Sequence, residues 1–212
     1  MTRLRPALSL LATALLAGAV ACADSTGGGN GGTPPGALSY ILLADTAPTL
    51  CADSIGAWFT KDPNGQDSTI ALEFPTTAAG CAGQREEFIS LKLKKLSLLR
   101  RPDNTLIANG DSVFISIKWV GSDSILFDLR PSGLLFTQGE EAELKIEYGQ
   151  AGDDLDDDGD IDGDDGLVED QIDIWRQENP GDDFVQVGTA KLEDDNEIEA
   201  KLTGFSRYAI AY

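Results

Sequence analysis

The chain has 212 residues, of which 16 are Lys or Arg and 36 are Asp or Glu, so its formal net charge is −20 at pH 7. Nucleic acids and anionic lipid surfaces attract basic proteins, and this charge balance excludes both as electrostatic partners. The chain has no histidine. Ser-His-Asp catalysis, Cys-His catalysis and zinc sites with histidine ligands are therefore excluded as well.

The first residues have the pattern of a secretory signal. Residues 1–21 combine a short basic start with an apolar run that is too short to span a bilayer as a permanent helix. The boundary Ala19-Val20-Ala21-Cys22 resembles a bacterial lipobox, although Ala19 stands where lipoboxes usually carry Leu. The resemblance implies that Cys22 carries an acyl anchor such as palmitate and holds the exported protein at the cell envelope, on the outer membrane or the cell surface. The alternative is an ordinary signal peptidase site, which would give a secreted module with an unmodified Cys22.

A tether and a cysteine pair follow. Residues 22–36 continue from Cys22 as a Gly/Ser/Pro-rich stretch that cannot bury a core and is typical of a flexible tether. If Cys22 carries lipid, Cys51 and Cys81 are the even pair that remains, and they can pair in an oxidising compartment. We therefore predict a Cys51–Cys81 disulfide.

Alternating apolar and polar residues dominate the rest of the chain. The runs SVFISIKWV, SILFDLR, EAELKIEY and EIEAKL have a period of two, which predicts half-buried antiparallel strands rather than helices. Turn sequences such as DPNG, RPDN, NGDS and TQGE separate such runs. We expect an all-β fold, an antiparallel β-sandwich of one or two lobes, with an N-terminal β region at 37–124 and a second region at 125–212.

The alternation slips in the run FISLKLKKLSLL. Ile89, Leu91 and Leu93 share one parity, whereas Leu96 and Leu98 have the other. A bulge near Lys94 and Lys95 is expected to absorb the extra residue. A short helix after Lys94 is the alternative.

The segments DLRPSGLLFTQGEEAELKIEYG and IDIWRQENPGDDFVQVGTAKLEDDNEIEAKLTGFSRYAIAY resemble the bacterial surface-lipoprotein form of the ZU-five (zona-occludens/Unc-five) β-sandwich. The resemblance covers roughly residues 125–212 and implies a β-sandwich there. The matching positions belong to a turn, to facing strands and to the last strand: Pro131, Gly133, Leu134, Phe136, Trp175, Val187, Phe205, Ser206, Tyr208 and Ala209. These are core and turn positions, so no partner of the animal family members transfers to this chain.

The acidic stretch DDLDDDGDIDGDDGLVED, residues 153–170, holds eleven carboxylates and no basic residue. Calcium takes six to eight oxygen ligands, which an Asp-x-Asp-x-Asp-Gly run supplies from alternate residues of a tight loop. The pattern resembles an EF-hand loop, a dockerin loop or a thrombospondin type-three repeat. We predict calcium as the cofactor and expect Ile161 to pin the loop to the core. The predicted ligands are Asp154, Asp156, Asp158, the carbonyl of Asp160, Asp162 and Asp165.

A second register overlaps the first, with Glu169 as the bidentate ligand at its end. It uses Asp158, Asp160, Asp162, Gly163, Asp164 and Glu169. Two adjacent ions with bridging carboxylates are a further alternative. We expect no amphipathic helix beside the motif, and hence a calcium-stapled loop between two strands rather than an EF-hand. The competing interpretation is a solvated acidic loop that keeps the protein soluble.

The remaining chemistry-bearing residues indicate no enzyme. The paired acids at 86–87, 140–141 and 182–183 are typical of solvated strand edges, and Trp58, Trp119 and Trp175 are expected in the core rather than on a ligand platform. We expect a structural or binding role toward an unidentified protein or glycan. The alternative of another class is a hydrolase that acts on envelope polymers through carboxylates.

Overall fold

The computed structural model describes residues 38–192 and 196–212. Its strands are β1 (Ser54–Thr60), β2 (Ser68–Pro75), β3 (Arg85–Leu93), β4 (Leu98–Arg100), β5 (Ser112–Trp119), β6 (Leu126–Arg130), β7 (Leu135–Phe136), β8 (Ala142–Glu147), β9 (Asp173–Gln177), β10 (Phe184–Val187), β11 (Thr189–Leu192), β12 (Glu197–Leu202) and β13 (Arg207–Ala211). One α-helix, α1 (Gly163–Gln171), and two 3-10 turns, Gly80–Ala82 and Gly149–Ala151, complete the elements. Within the described ranges no helix is long and apolar enough to cross a membrane.

The strands form antiparallel sheets, as the alternation predicts. One sheet has six strands in the order β1-β5-β6-β13-β9-β10, and a second has five in the order β11-β12-β8-β3-β2. The short strands β4 and β7 pair separately. Apolar side chains from the two larger sheets join in one hydrophobic cluster, which makes the fold all-β and sandwich-like.

Burial follows the predicted parity in the strands that the sequence marks most clearly. In β5, Val113, Ile115 and Ile117 are buried, while Phe114 and Lys118 on the opposite face are exposed. The apolar residues of β8 and β12 are buried in the same alternate way. Each such strand therefore gives one face to the core and the other to solvent.

The predicted division of the chain at residue 125 does not separate two lobes. β5 precedes this point and hydrogen-bonds with β6 after it, and β3 pairs with β8 in the other sheet. Both sheets thus combine strands from the two predicted regions, and all described residues belong to one compact unit. The single-lobe arrangement is the one that forms.

The register slip after Leu93 is a turn, so both the predicted bulge and the alternative helix are wrong. The Lys94 amide donates to Ser97 Oγ at 2.9 Å, and the Ser97 amide donates to the Lys94 carbonyl at 3.0 Å. β3 ends before this turn in the five-stranded sheet, and β4 begins after it and pairs with β7. The parity changes because the two strands belong to different sheets. The pairing of β3 with β2 does contain a register shift, but it lies elsewhere, between Leu72 and Glu73 of β2.

The predicted disulfide is confirmed. Cys51 and Cys81 are bonded, with their Cα atoms 5.3 Å apart. The bond joins the segment before β1 to the turn before β3, and the Cys51 amide also donates to the Glu73 carbonyl at 2.9 Å. Closing a loop of this length stabilises the fold by roughly 3–4 kcal/mol in the chain-entropy account.

A charged cluster lies on the outer face of the six-stranded sheet, around Asp128. Asp128 is buried, and its carboxylate accepts hydrogen bonds from Arg130 at 2.6 Å and from Arg207 at 2.8 Å. Burial acts to raise the pKa of Asp128, but the two guanidinium groups outweigh it and hold the pKa below the ordinary value of 3.8. The cluster therefore links β6 to β13 through an ionised carboxylate.

We expect Asp128→Asn to lower the free energy of unfolding by about 2 kcal/mol at neutral pH, because two charge-assisted hydrogen bonds weaken. Since the folded-state pKa is lowered, the wild-type stabilisation is present above the unfolded pKa and is lost as the pH falls through the folded one. Urea unfolding of both proteins should therefore show a gap at neutral pH that narrows below pH 3.8. Asp183→Asn, at an exposed position, is the control and should resemble wild type at both pH values. A gap that does not depend on pH would contradict the role of the charge.

Candidate metal centre

The acidic segment connects the two large sheets. It begins after β8 and the turn at Gly149–Ala151, and it ends where β9 starts at Asp173. Its second half is the helix α1, which the sequence analysis did not predict; only Asp165 and Val168 of this helix are buried, so α1 is not the amphipathic helix of an EF-hand. The helix forms here because Asp162 and Asp165 make a reciprocal capping box: each side chain accepts from a backbone amide near the other residue.

Three of the predicted ligands converge. One carboxylate oxygen from each of Asp154, Asp156 and Asp158 lies within 4.8 Å of the other two. Positive φ angles at Asp157 (59°) and Gly159 (94°) bend the backbone around this triad. Asp154 and Asp156 are partly buried and Asp158 is exposed, so the triad lies at the surface with one side open to solvent.

Backbone amides of the loop orient the triad. Asp154 Oδ1 accepts from the Asp158 amide at 3.2 Å, and its Oδ2 accepts from the Gly159 amide at 3.1 Å. The Asp156 carboxylate also accepts from the Asp158 amide, at 3.2 Å. The tight turn thus holds its acidic side chains toward its own centre.

The other predicted ligands lie outside this group. Asp160 is exposed, and Asp162 accepts from the Asp164 amide at 2.8 Å as the helix cap. Asp165 is buried, and its two oxygens accept from the amides of Leu155 at 2.6 Å and Asp162 at 2.8 Å. Glu169 lies on α1 and accepts from the Tyr148 hydroxyl at 3.3 Å.

The backbone matches the first register rather than the second. Gly159, at the glycine position of the first register, has the positive φ that a sharp turn needs. Gly163, at the same position of the second register, is instead the first residue of α1. Asp158, Asp160 and Asp162 also do not converge as the first three acids do, among the residues described.

The surroundings shift the pKa values of Asp156 and Asp165 in opposite directions. Burial, followed by the charges of Asp158, Asp165 and Asp154, raises the pKa of Asp156. The backbone amides of Asp162 and Leu155 lower the pKa of Asp165. Asp165 is therefore a satisfied carboxylate within the loop scaffold, whereas burial and the neighbouring carboxylates disfavour the charged form of Asp156.

Leu155, and not Ile161, packs against the core. Ile161 is 71% exposed, so the predicted pinning role is wrong. Leu155 is partly buried against the hydrophobic cluster, and its amide is bonded to Asp165. Val168 on α1 is buried in the same cluster. The two halves of the segment thus each have an apolar contact with the sandwich.

A groove of about 370 Å³ borders the triad. Asp45 and Asp123 come from outside the acidic segment and add two carboxylates to it; the sequence analysis did not single them out. The hydroxyl of Ser122 lowers the pKa of Asp123, which keeps this group ionised. The lining residues are Leu42, Leu43, Ala44, Asp45, Asp123, Ala151, Gly152, Asp153, Asp154, Asp157 and Ile161.

The three tryptophans, all expected in the core, differ in their burial. Trp119 packs against the core and Trp175 is half-buried, but Trp58 is 70% exposed, so its expected core position is wrong.

Lys92 and Lys94 both pair with Glu143, at 3.0 and 3.3 Å. Lys92 on β3 and Lys94 in the turn after it thus form ion pairs on the polar side of the five-stranded sheet.

Neither a scan against protein-family models nor searches of curated proteins and of solved structures finds a match to this chain. The resemblance to the ZU-five sandwich therefore stays a prediction. Its positions include two buried residues, Phe205 between β12 and β13 and Tyr208 in β13, and the Gly133 turn with a φ of 83°.

The different surroundings of Asp165 and Asp156 predict opposite effects of two substitutions made without any metal. Asp165→Ala removes the acceptor of two backbone amides and should destabilise the protein by about 1–3 kcal/mol in the presence of chelator. Asp156→Asn keeps the size of the side chain and removes a repelled charge, so it should leave stability unchanged or raise it.

Urea unfolding and amide hydrogen exchange of the Leu155 and Asp162 amides measure these effects. Faster exchange at both amides in Asp165→Ala alone is the expected result. Equal loss of stability in the two variants would contradict the division between scaffold and repelled charge.

Proposed function

We propose that this chain is an envelope-anchored β-sandwich protein that binds calcium through its acidic segment and has a structural or binding role rather than an enzymatic one. The observation that carries the proposal is the convergence of Asp154, Asp156 and Asp158 around the turn at Gly159. Such a set of hard oxygen donors fits calcium, which accepts irregular coordination by carboxylates, backbone carbonyls and water.

The donor set supports one ion in the first register. Asp154, Asp156 and Asp158 would hold it through their carboxylates, and the Asp160 carbonyl and water would add further oxygens. Asp165 would serve the site as a scaffold, because backbone amides already occupy both of its oxygens. Magnesium is the poorer fit, since it dehydrates reluctantly and demands near-octahedral geometry.

Electrostatic repulsion supplies the reason for a cation here. Burial, and then the neighbouring charges, raise the pKa of Asp156, so its ionised form is unfavourable without a positive partner. A divalent cation reverses the sign of this interaction and lowers the pKa values of its ligands. Calcium would therefore stabilise the folded loop over the unfolded chain, in which the three carboxylates are free to separate.

The position of the segment gives the ion a structural role. β8 belongs to the five-stranded sheet and β9 to the six-stranded sheet, and the segment is the connection between them. α1 contacts the core through Val168, and Glu169 bonds to Tyr148 at the end of β8. An ordered loop would therefore hold the two sheets at this connection.

We expect calcium to raise the melting temperature of the wild type but not that of Asp158→Ala. Binding to the folded form alone adds RT ln(1 + [L]/Kd), which is about 2.7 kcal/mol at a hundredfold excess over Kd. Extracellular calcium modules bind at ~0.1–1 mM, so melting curves with chelator and with millimolar calcium are the measurement. The matched control is Asp153→Ala, which removes an exposed neighbouring acid that neither register uses.

Acidification gives the same experiment a second readout. The ligands must be deprotonated to bind, so the calcium effect should weaken as the pH falls, with Asp156 protonating early because its pKa is raised. Equal melting of the wild type with and without calcium, together with no calcium heat in calorimetry, would leave a solvated acidic loop and end the proposal.

The envelope anchor concerns Cys22, which lies outside the described residues. We expect mass spectrometry of the mature N-terminus to find acylated Cys22, and Cys22→Ser to release the protein from membranes. Cys51→Ser is the matched control, because it removes a cysteine without touching the anchor and should leave the protein in the membrane fraction. An unmodified Cys22 in membrane-free protein would favour the secreted alternative.

A further inference from the structure

An aromatic pair is exposed on the outer face of β1 and β5, at one edge of the six-stranded sheet. Trp58 is 70% exposed and Phe114 is 49% exposed. They are cross-strand partners, and their rings meet edge to face with centroids 5.6 Å apart. Exposed aromatic groups of this kind on a strand that otherwise buries Phe59 mark interaction sites more often than chance.

A glycine beside the pair makes room for the Phe114 ring. Gly56 is the neighbour of Trp58 on the same face of β1, and a Cβ atom at this glycine would lie 2.6 Å from Phe114 Cζ. The Phe114 ring therefore lies over Gly56, where no side chain can stand. The indole of Trp58 projects from this face with the Phe114 ring inclined at 65° to it.

Hydroxyl and basic groups extend this surface along the strands. Thr60 and Ser112 lie on one side of the aromatic pair, with their hydroxyls 2.7 Å apart. On the other side, Ser116 pairs with Gly56, and Lys118 pairs with Ser54. At about 3.4 Å per residue, the strip from Thr60 to Lys118 is roughly 20 Å long. We call these residues, together with Arg130, the aromatic strip.

The charge of the aromatic strip is opposite to that of the whole chain. Arg130 is the cross-strand partner of Ser116 on β6, and its side chain is 52% exposed. The outward-facing residues of β1, β5, β6 and β13 include three basic side chains, Lys118, Arg130 and Arg207, against one carboxylate, Asp128. This local excess of two positive charges stands on a protein with a net charge of −20. Lys118 and Arg207 both have Asp128 as a cross-strand partner, so the excess is carried mainly by the exposed ends of Lys118 and Arg130. An anionic ligand is therefore repelled less at this face than by the chain as a whole.

The size of the apolar part argues against a protein partner. Two aromatic side chains present roughly 300–500 Å² of surface when fully buried, while a stable interface takes about 800 Å² from each partner. The remaining side chains of the strip are hydroxyls and charges. A sugar ring fits better, because its C–H face stacks on an indole while its hydroxyls and any carboxylate reach the polar neighbours.

We propose that the aromatic strip binds an acidic polysaccharide, with a sugar ring stacked on Trp58 and a uronate carboxylate held by Arg130 and Lys118. Charge-assisted hydrogen bonds from guanidinium and ammonium groups are the strong polar contacts for a carboxylate. The site gives the binding role of the proposed function a ligand class, but it does not depend on calcium. The strip lies on β1, β5 and β6, and β13 separates β6 from β9, where the acidic segment ends.

The test measures binding of the mature protein to polygalacturonate, a polyuronate, by isothermal calorimetry and by affinity electrophoresis. Chelator is present throughout, because calcium could bridge an acidic protein to an acidic polymer. This condition also separates the result from the calcium proposal. Dextran serves as the neutral polymer, and the variants are Trp58→Ala, Lys118→Gln and the matched control Val185→Ala, which removes another exposed apolar side chain (67% exposed) at the opposite edge of the same sheet.

Wild type and Val185→Ala should bind polygalacturonate equally, and Trp58→Ala should weaken binding by about tenfold or more, as loss of a central tryptophan contact does. Lys118→Gln should weaken binding severalfold and reduce its salt dependence, and it does so without touching the aromatic pair. No binding by the wild type, equal binding by Trp58→Ala, or equal affinity for dextran would overturn the proposal. A wild-type dimer that Trp58→Ala dissociates, with no polygalacturonate bound, would assign the surface to a second copy of the chain instead.

Discussion

Repulsion among the eleven carboxylates between β8 and β9 is the constraint to which this part of the fold must respond. Two groups of these carboxylates reduce or tolerate the repulsion in different ways. Asp162 and Asp165 turn their carboxylates onto backbone amides and start a helix, which converts two like charges into helix caps. Asp154, Asp156 and Asp158 instead point into one turn, where the first two are partly buried and all three repel one another. The first group gives the loop a defined structure that needs no metal, and the second group is the one whose repulsion the proposed calcium ion would relieve.

This division also gives the proposed calcium site a scaffold that is held without the ion. A preformed site costs less to fill than one that must first be assembled. Asp165 ties Leu155 to the start of α1, and Leu155 and Val168 pack on the sandwich from the two halves of the segment. The carboxylate that the sequence pattern assigns to the metal is thus the one that holds the turn together. Its role resembles that of outer groups which orient the ligands of a metal site.

The sequence predicts those features of the fold that one short-range rule decides. Period-two alternation places Ile115, Ile117, Leu144 and Ile146 in the core, and cysteine parity gives the disulfide. Prediction from the sequence fails where one residue type can have two structural roles. An aspartate can be a helix cap or a metal ligand, and two glycines inside α1 conceal a helix that capping and the burial of Val168 maintain. Ile161 and Leu155 are equally apolar in sequence, and only tertiary contact separates them. The outward position of Trp58 was predictable from the sequence, however, because Ile55, Ala57 and Phe59 share one parity in β1 and Trp58 has the other.

The Asp128 cluster connects the stability of the six-stranded sheet to the chemistry of its outer face. Asp128 is 8% exposed at its side chain and holds Arg130 and Arg207 by short hydrogen bonds. A free arginine on a strand would lose much side-chain entropy on contacting a ligand, whereas Arg130 is already oriented by its bond to Asp128. The carboxylate uses part of the guanidinium and leaves the side chain half exposed beside Ser116 and the aromatic pair. The same buried charge that joins β6 to β13 therefore prepares a basic group for an anion on the surface. Because Arg207 offsets the charge of Asp128, the contribution of Arg130 to the positive excess of that face is retained.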